Sequence, residues 1–301
     1  MTYTTIDAPV RGGLLRAGRW TPEGGSTHPT VLAVHGVTAT HMSWLAVVEQ
    51  GPDLDVVAPD LRGRGRSSEL PGPTGLHRHG DDLVALLDHL GLEKVVVAGH
   101  SMGALAAVVL ADDHPDRVER LVLVDGGLPL PMPAGYTVDD VMTATLGPAT
   151  ARLAMTFESR SAYRDFWRAH PAFTDGVDET MGAYFDYDLV EVPGGLASSV
   201  RIDPVRDDIA SQLDPLVLTP ALERLRVPAT LLRAPRGLMN QPEALYPPAV
   251  VREWDERLPL LDVVEVDDVN HYTIVFEPRS AAIVASHLRD PSPSPLSEEN
   301  P

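Results

Sequence analysis

The chain has 301 residues, 44% of them hydrophobic and 22% charged, an ordinary globular balance with enough length for one large α/β domain with or without an insertion. Its 24 Lys and Arg against 43 Asp and Glu give a net charge of −19, a field that repels a nucleic-acid backbone or an anionic membrane surface. The absence of cysteine excludes disulfides, a thiol nucleophile and thiolate metal sites.

Met1 to Arg11 shows no charged-then-apolar leader, and no apolar run approaches the ~18 residues of a membrane span, so a cytoplasmic protein is expected. Short β-branched, apolar runs then recur along the chain: Val31 to Val34, Val56 to Ala58, Val95 to Ala98, Leu121 to Val124, Thr230 to Leu232 and Val263 to Val266. Each is bounded by Gly, Pro, Asp or Arg and is too short for a helix, which suits strands buried on both faces of a parallel sheet. Between them lie helical patterns. Leu83, Leu86, Leu87 and Leu90 share one face, and Gly91 stands at the expected C-cap. Met102 to Leu110 is apolar all round, which suits a helix packed under the centre of the sheet, and Ala281 to Leu288 closes the fold. Strand and helix in alternation imply right-handed crossovers and a doubly wound α/β sheet. The rhythm breaks between Gly127 and Leu218, a stretch holding Phe157, Tyr163, Phe166, Trp167, Phe173, Tyr184, Phe185 and Tyr187. A mainly helical cap over 127–218 is expected, most of its aromatics forming its own core and one or two facing a substrate. The substrate-binding residues within it are not identifiable from the sequence. The final stretch 290–301, DPSPSPLSEENP, is expected to be a disordered tail.

Three motifs carry chemistry. Gly99-His100-Ser101-Met102-Gly103 is a G-x-S-x-G pentapeptide between a strand and a helix. A serine on so sharp a turn needs glycine two residues away on either side. Its hydroxyl then stands off the sheet beside a helix N-terminus, where the Met102 N–H faces a developing oxyanion. His35-Gly36-Val37 follows the first strong strand, so that the Val37 N–H is the expected second oxyanion donor. Asn270-His271-Tyr272 lies between the last strand and the last helix, within reach of the C-terminal edge of the sheet. His271 is the expected general base. His28 precedes the core, His114 ends a helix before Pro115, His287 sits on the last helix and His100 points elsewhere on the turn.

These residues in this order resemble the α/β-hydrolase family, and Asp60-Leu61-Arg62-Gly63-Arg64-Gly65-Arg66-Ser67 matches its D-x-R-G-x-G-x-S loop, with Arg64 where His is common. The resemblance covers roughly residues 9–126 and 219–289. It implies a mixed, mostly parallel sheet flanked by helices, with core segments 1–126 and 219–289, the cap entering after the sixth core strand, and the site at the sheet's C-terminal edge. It also implies the order nucleophile, acid, histidine. Most members carry the acid just after the strand that corresponds to Thr230–Leu232, but here no carboxylate follows until Glu243. A minority use the end of the preceding strand, where Asp125 stands. Asp125, Glu243, Asn240 and a dyad without an acid therefore remain open.

The expected chemistry is acyl transfer to water from a carboxylic ester or lactone, on a neutral or apolar small molecule and without a cofactor. C–C bond hydrolysis, amide hydrolysis and acyltransfer on the same fold are alternatives, and a non-catalytic ligand-binding protein is an alternative of another class. The resemblance disfavours dehalogenase and epoxide hydrolase chemistry, which places a carboxylate where Ser101 stands. His77-Arg78-His79-Gly80-Asp81-Asp82 partly resembles an H-x-H-x-D-H metal motif, but it ends in Asp and opens a helix, and no metal is expected.

Overall fold

The computed structural model describes residues 1–132 and 135–289, so the tail expected over 290–301 lies outside the described residues. Eight strands form one sheet: β1 (Thr2–Val10), β2 (Gly13–Thr21), β3 (Val31–Val34), β4 (Val56–Pro59), β5 (Val95–His100), β6 (Val118–Val124), and, after two strands of a separate hairpin, β7 (Leu189–Val192) and β8 (Gly195–Ser198), the pair β9 (Ala229–Arg233) and β10 (Leu261–Glu265). The order across the sheet is β1-β2-β4-β3-β5-β6-β9-β10. β1 with β2 and β2 with β4 are antiparallel, and all later neighbours are parallel.

The two-residue side-chain period explains why the central strands read as unbroken apolar runs. Leu32, Val34, Val95, Val97, Leu121 and Leu123 enter one core, whereas Val31, Ala33, Val96, Ala98, Val122 and Val124 enter another on the opposite face. The first core is closed by α2 (Leu76–Leu90) and α3 (Met102–Asp113), the second by α1 (Leu45–Gln50) and the C-terminal helix Pro278–Arg289. α3 is apolar all round because it is sandwiched between the sheet, α2 and the helix Leu218–Glu223. α2 stops at Gly91, left-handed at φ 65°, whose N–H returns to the carbonyls of Asp88 and Leu87.

Between β6 and β9 the chain forms a run of helices, among them Arg160–Arg168, Glu179–Asp188 and Ile202–Leu213, together with the β7–β8 hairpin. The hairpin turns at Pro193-Gly194, with Gly194 at φ 94°, a Pro-Gly turn that the helical expectation for this segment did not include. No helix among the described residues is long and apolar enough to cross a membrane.

Candidate active site

Ser101 sits between β5 and α3 at φ 57° and ψ −124°, a conformation forbidden to most side-chain-bearing residues and sustained here by its surroundings. Its N–H donates to the Val124 carbonyl at 3.0 Å, tying the turn to the end of β6. The flanking glycines answer to sterics. A Cβ on Gly99 would lie 2.4 Å from the Ala104 nitrogen, and one on Gly103 would lie 2.1 Å from the Val34 carbonyl oxygen. Met102 opens α3, so its N–H has no carbonyl partner within the helix.

His271 follows β10 in a loop whose shape is set by Asn270. The Asn270 carboxamide oxygen accepts from the amides of Tyr272 and Thr273 at 2.9 and 3.0 Å, and its Nδ2 donates to Ala172 O at 2.8 Å. The His271 carbonyl accepts from His100 Nε2 at 2.8 Å. Burial, with His271 adjacent, pushes the His100 imidazole down to about 3, so it is neutral and serves as a strut. His271 Nδ1 lies 2.7 Å from Asp125 Oδ2. Asp125 is fully buried at the end of β6, at φ 42°, with its N–H on Leu232 O at 2.7 Å and its Oδ1 accepting from Ala234 N at 3.0 Å. Its second oxygen is thereby aimed at the imidazole, which fixes a proton on Nδ1 and leaves Nε2 as the acceptor. Of the other acid candidates, Glu243 is exposed, and Asn240 meets Asn270 Nδ2 at 3.3 Å.

The loop after β3 approaches the serine closely, since a Cβ on Gly36 would stand 3.3 Å from Ser101 Cβ. His35 orients it. Leu61 N–H donates to His35 Nε2 at 3.0 Å, so Nδ1 carries the proton and donates to the Gly36 carbonyl at 2.8 Å. Burial lowers this imidazole to about 3, consistent with that neutral tautomer. In a trans peptide the N–H points opposite the preceding carbonyl, so holding Gly36 O, which also accepts from Ala39 N at 3.1 Å, sets the direction of the Val37 N–H.

Two narrow cavities, each of about 30 Å³, meet along Val37, Ser101, Leu146, Leu238 and His271. The first is walled by Trp167, Tyr184, Tyr272 and Phe276, and the second by Leu105, Leu130, Val141, Ile209 and Leu245, with Met102 beside Ser101. No Asp, Glu, Lys or Arg is among the described residues lining either. Trp167 and Tyr184 are the insertion's aromatics at the cavity. Phe157, Tyr163, Phe173 and Phe185 are buried not in a separate core of the insertion but in the cluster it shares with the sheet's second face and the C-terminal helices, Trp167 stacking on Phe185 at 4.9 Å.

The metal-like segment is dispersed by its helix. His77 meets Asp113 at 2.6 Å, His79 meets Asp208 at 2.9 Å, and Asp82 receives both arms of Arg62 at 2.9 and 2.8 Å. Among the described residues there is no group of three or more His, Cys, Asp or Glu that could hold a metal ion. Residues that the sequence did not single out are the buried Arg152, Asp188 and Asp208 of the insertion. In a chain with 43 acidic side chains, nothing local separates a buried carboxylate from a solvated one.

The comparisons with known proteins agree with this fold. Residues 29–185, which run from β3 through the serine turn into the insertion, match the family model described as alpha/beta hydrolase fold. The chain is 34% identical over 184 residues to Lipase LipV of Mycobacterium tuberculosis, a match covering 60% of this chain and 64% of the lipase, less than two thirds of its length. It is 27% identical over 260 residues to N-formylmaleamate deformylase of Pseudomonas putida, covering 82% and 83% of the two chains. Among solved structures, E-2-(Acetamidomethylene)succinate Hydrolase superposes with a TM-score of 0.78 at 19% identity, over 95% of this chain and 99% of the other, a likeness of fold. With its mostly parallel sheet, its serine turn after β5 and a family model matching over half its length, the chain belongs to the α/β-hydrolase family.

Proposed function

We propose that this protein is a serine hydrolase that cleaves neutral, apolar carboxylic esters or lactones through an acyl-enzyme on Ser101. The observation that carries the reading is the Asp125–His271 pair at 2.7 Å, with Ser101 and His271 lining the same two cavities. The Ser101 hydroxyl gives its proton to His271 Nε2 as Oγ bonds to the substrate's carbonyl carbon. Asp125 stabilises the imidazolium, and the N–H groups of Val37 and Met102 hold the oxyanion. Collapse breaks the carbonyl–alkoxy bond, the imidazolium proton leaves with the alcohol, and water repeats the sequence to release the acid.

Substrate class follows from the lining. An aromatic wall on one side and an aliphatic wall on the other suit a molecule with apolar groups on both sides of the scissile bond. The substrates in the names of the deformylase and of the succinate hydrolase carry carboxylates. Neither cavity here offers a cationic side chain to meet one, and an uncompensated buried charge costs about 3–5 kcal/mol.

The test is an assay of wild type and Ser101→Ala against neutral aryl esters and lactones of graded chain length, each paired with an analogue carrying a carboxylate on the chain, alongside labelling by a fluorophosphonate. Turnover and labelling are expected in wild type and absent in Ser101→Ala, with the carboxylate analogues at least about 100-fold poorer in kcat/KM. Turnover that survives in Ser101→Ala, or a preference for the charged analogues, contradicts the proposal. No labelling and no turnover in either protein favours a binding role.

A further inference from the structure

Resting on the serine-hydrolase reading, we propose that Arg64 and Arg152 are positioning residues for the oxyanion loop, held by two carboxylates of the insertion, so that docking of the insertion and the geometry of the loop that presents the Val37 N–H are one coupled property.

Arg64 is fully buried and extends from the loop after β4. Its Nε donates to the Val37 carbonyl at 3.0 Å and its Nη1 to the Arg62 carbonyl at 2.7 Å, while its Nη2 lies 2.5 Å from Asp208 Oδ2. Asp208 is on the insertion helix Ile202–Leu213, and its other oxygen receives His79 Nε2 at 2.9 Å and Gly75 N at 2.6 Å. Arg152, also buried, belongs to the insertion. Its Nη2 donates to the Thr38 carbonyl at 2.6 Å and lies 3.4 Å from Asp188 Oδ2, and its Nε meets the Tyr163 hydroxyl at 2.9 Å.

Three consecutive carbonyls, those of Gly36, Val37 and Thr38, are thus each held by a buried side chain: His35, Arg64 and Arg152. The trans peptide makes each carbonyl a lever on the following amide, and the loop has no helix or ladder of its own to stiffen it. A neutral donor would suffice to occupy a carbonyl. Two buried guanidiniums need compensating charge: Asp208 supplies it to Arg64 across the boundary between core and insertion, and Asp188 supplies it to Arg152 within the insertion, whose guanidinium then crosses to Thr38 O. Burial works against the Asp208 carboxylate, but Arg64 and His79 outweigh it and hold the group well below the ordinary carboxylate range, so the compensating charge persists. The forked guanidinium is what lets one residue bond a carbonyl with Nε while Nη2 stands in ion-pair contact with a carboxylate.

That fork supplies the test. Lysine at position 64 keeps the charge facing Asp208 but places no donor where Nε meets Val37 O. For full-length Arg64→Lys we expect a melting temperature near wild type, a kcat lower by about 10- to 100-fold, an unchanged KM, and amide exchange over residues 36–39 faster by about 10-fold. Arg64→Met/Asp208→Asn, which removes both charges together, should share the kcat loss and the faster exchange. Wild-type exchange and wild-type kcat in Arg64→Lys overturn the proposal. So does a loss of kcat that merely follows the melting temperature, with KM rising, because that is the signature of general loosening. Faster loop exchange in a protein whose wild type turns over no ester upholds the clamp and refutes the hydrolase reading instead.

Discussion

Asp125 shows how much one backbone angle can decide. At φ 42° its carboxylate is turned so that one oxygen takes the Ala234 amide and the other the His271 imidazole. Asn at this position keeps the carbonyl oxygen for Ala234 but presents an NH₂ to His271 Nδ1, which moves the imidazole proton to Nε2 and leaves no base toward Ser101. Asp125→Asn is therefore expected to fold and to lose about 10³–10⁴-fold in kcat, while Glu243→Gln, altering an exposed side chain, stays near wild type. Steady-state kinetics of the two variants decide the matter, and the reverse pattern moves the acid to the loop after β9. The sequence narrowed the acid to a few positions and went no further, because Asp125 and His271 are 146 residues apart and their contact depends on the pairing of β6 with β9. Ser101 was legible because its constraint is local: strand, glycine, serine, glycine and helix follow one another directly. Arg152 and Asp188 were illegible for the opposite reason, since burial is a tertiary property and an Arg or Asp in an amphipathic segment looks the same on either face.

Legibility of whole elements follows burial. β3, β4, β5 and β9 are buried at every position and stand out as short apolar runs. β1 is an edge strand with six of nine residues exposed, so its sequence, TYTTIDAPV, carries little apolar signal. β7 and β8 are four residues each and half-buried, short enough to be lost among helices. The same contrast between crowded and open surroundings separates two glycines. A Cβ at Gly103 would collide with the backbone carbonyl of Val34 at 2.1 Å, and neither α3 nor β3 can yield without disturbing the serine turn. A Cβ at Gly80, inside α2, would meet only Leu110 Cα at 4.0 Å. Gly103→Ala is expected to lose 3 kcal/mol or more, about the upper end for overpacking, with activity lost alongside. Gly80→Ala should gain about 0.5–1 kcal/mol from helix propensity, a rise of roughly 1–3 °C in melting temperature. Thermal denaturation of both variants checks the pair, and a destabilised Gly80→Ala would mean that the α2–α3 contact is tighter than its geometry implies.

On the scale of the molecule, the two histidines that brace the site also set its acid limit. His35 and His100 are buried and neutral, lowered to about 3 from the ordinary 6.5, in each case chiefly by desolvation. Between those two pH values the unfolded chain binds a proton at each imidazole and the folded protein does not, so stability rises with pH across that window. Their contribution is complete above pH 6.5 and is lost as pH falls toward 3. Well inside the window each group contributes a slope of about 1.4 kcal/mol per pH unit. Asp60 adds to the loss only below pH 3.8. Burial works against its charge, but His41 outweighs burial and holds it near 2. His170, lowered to about 4 chiefly by desolvation, adds a third such slope between pH 6 and pH 5; the net charge of −19 acts in the opposite sense, because self-repulsion relaxes as histidines elsewhere take up protons, so the observed slope there should fall somewhat short of the sum for three imidazoles. His35→Gln removes one of the two titrations while keeping an amide able to donate to Gly36 O. Its stability should be lower than wild type at pH 7.5, where the better-fitting imidazole is intact, but its decline from pH 6 to pH 5 should be shallower by about 1.4 kcal/mol. Urea unfolding at the three pH values measures both quantities. An unchanged slope in His35→Gln would show that this imidazole accepts its proton within the folded protein, and the fixed orientation of the Gly36 carbonyl would then have to give way with it.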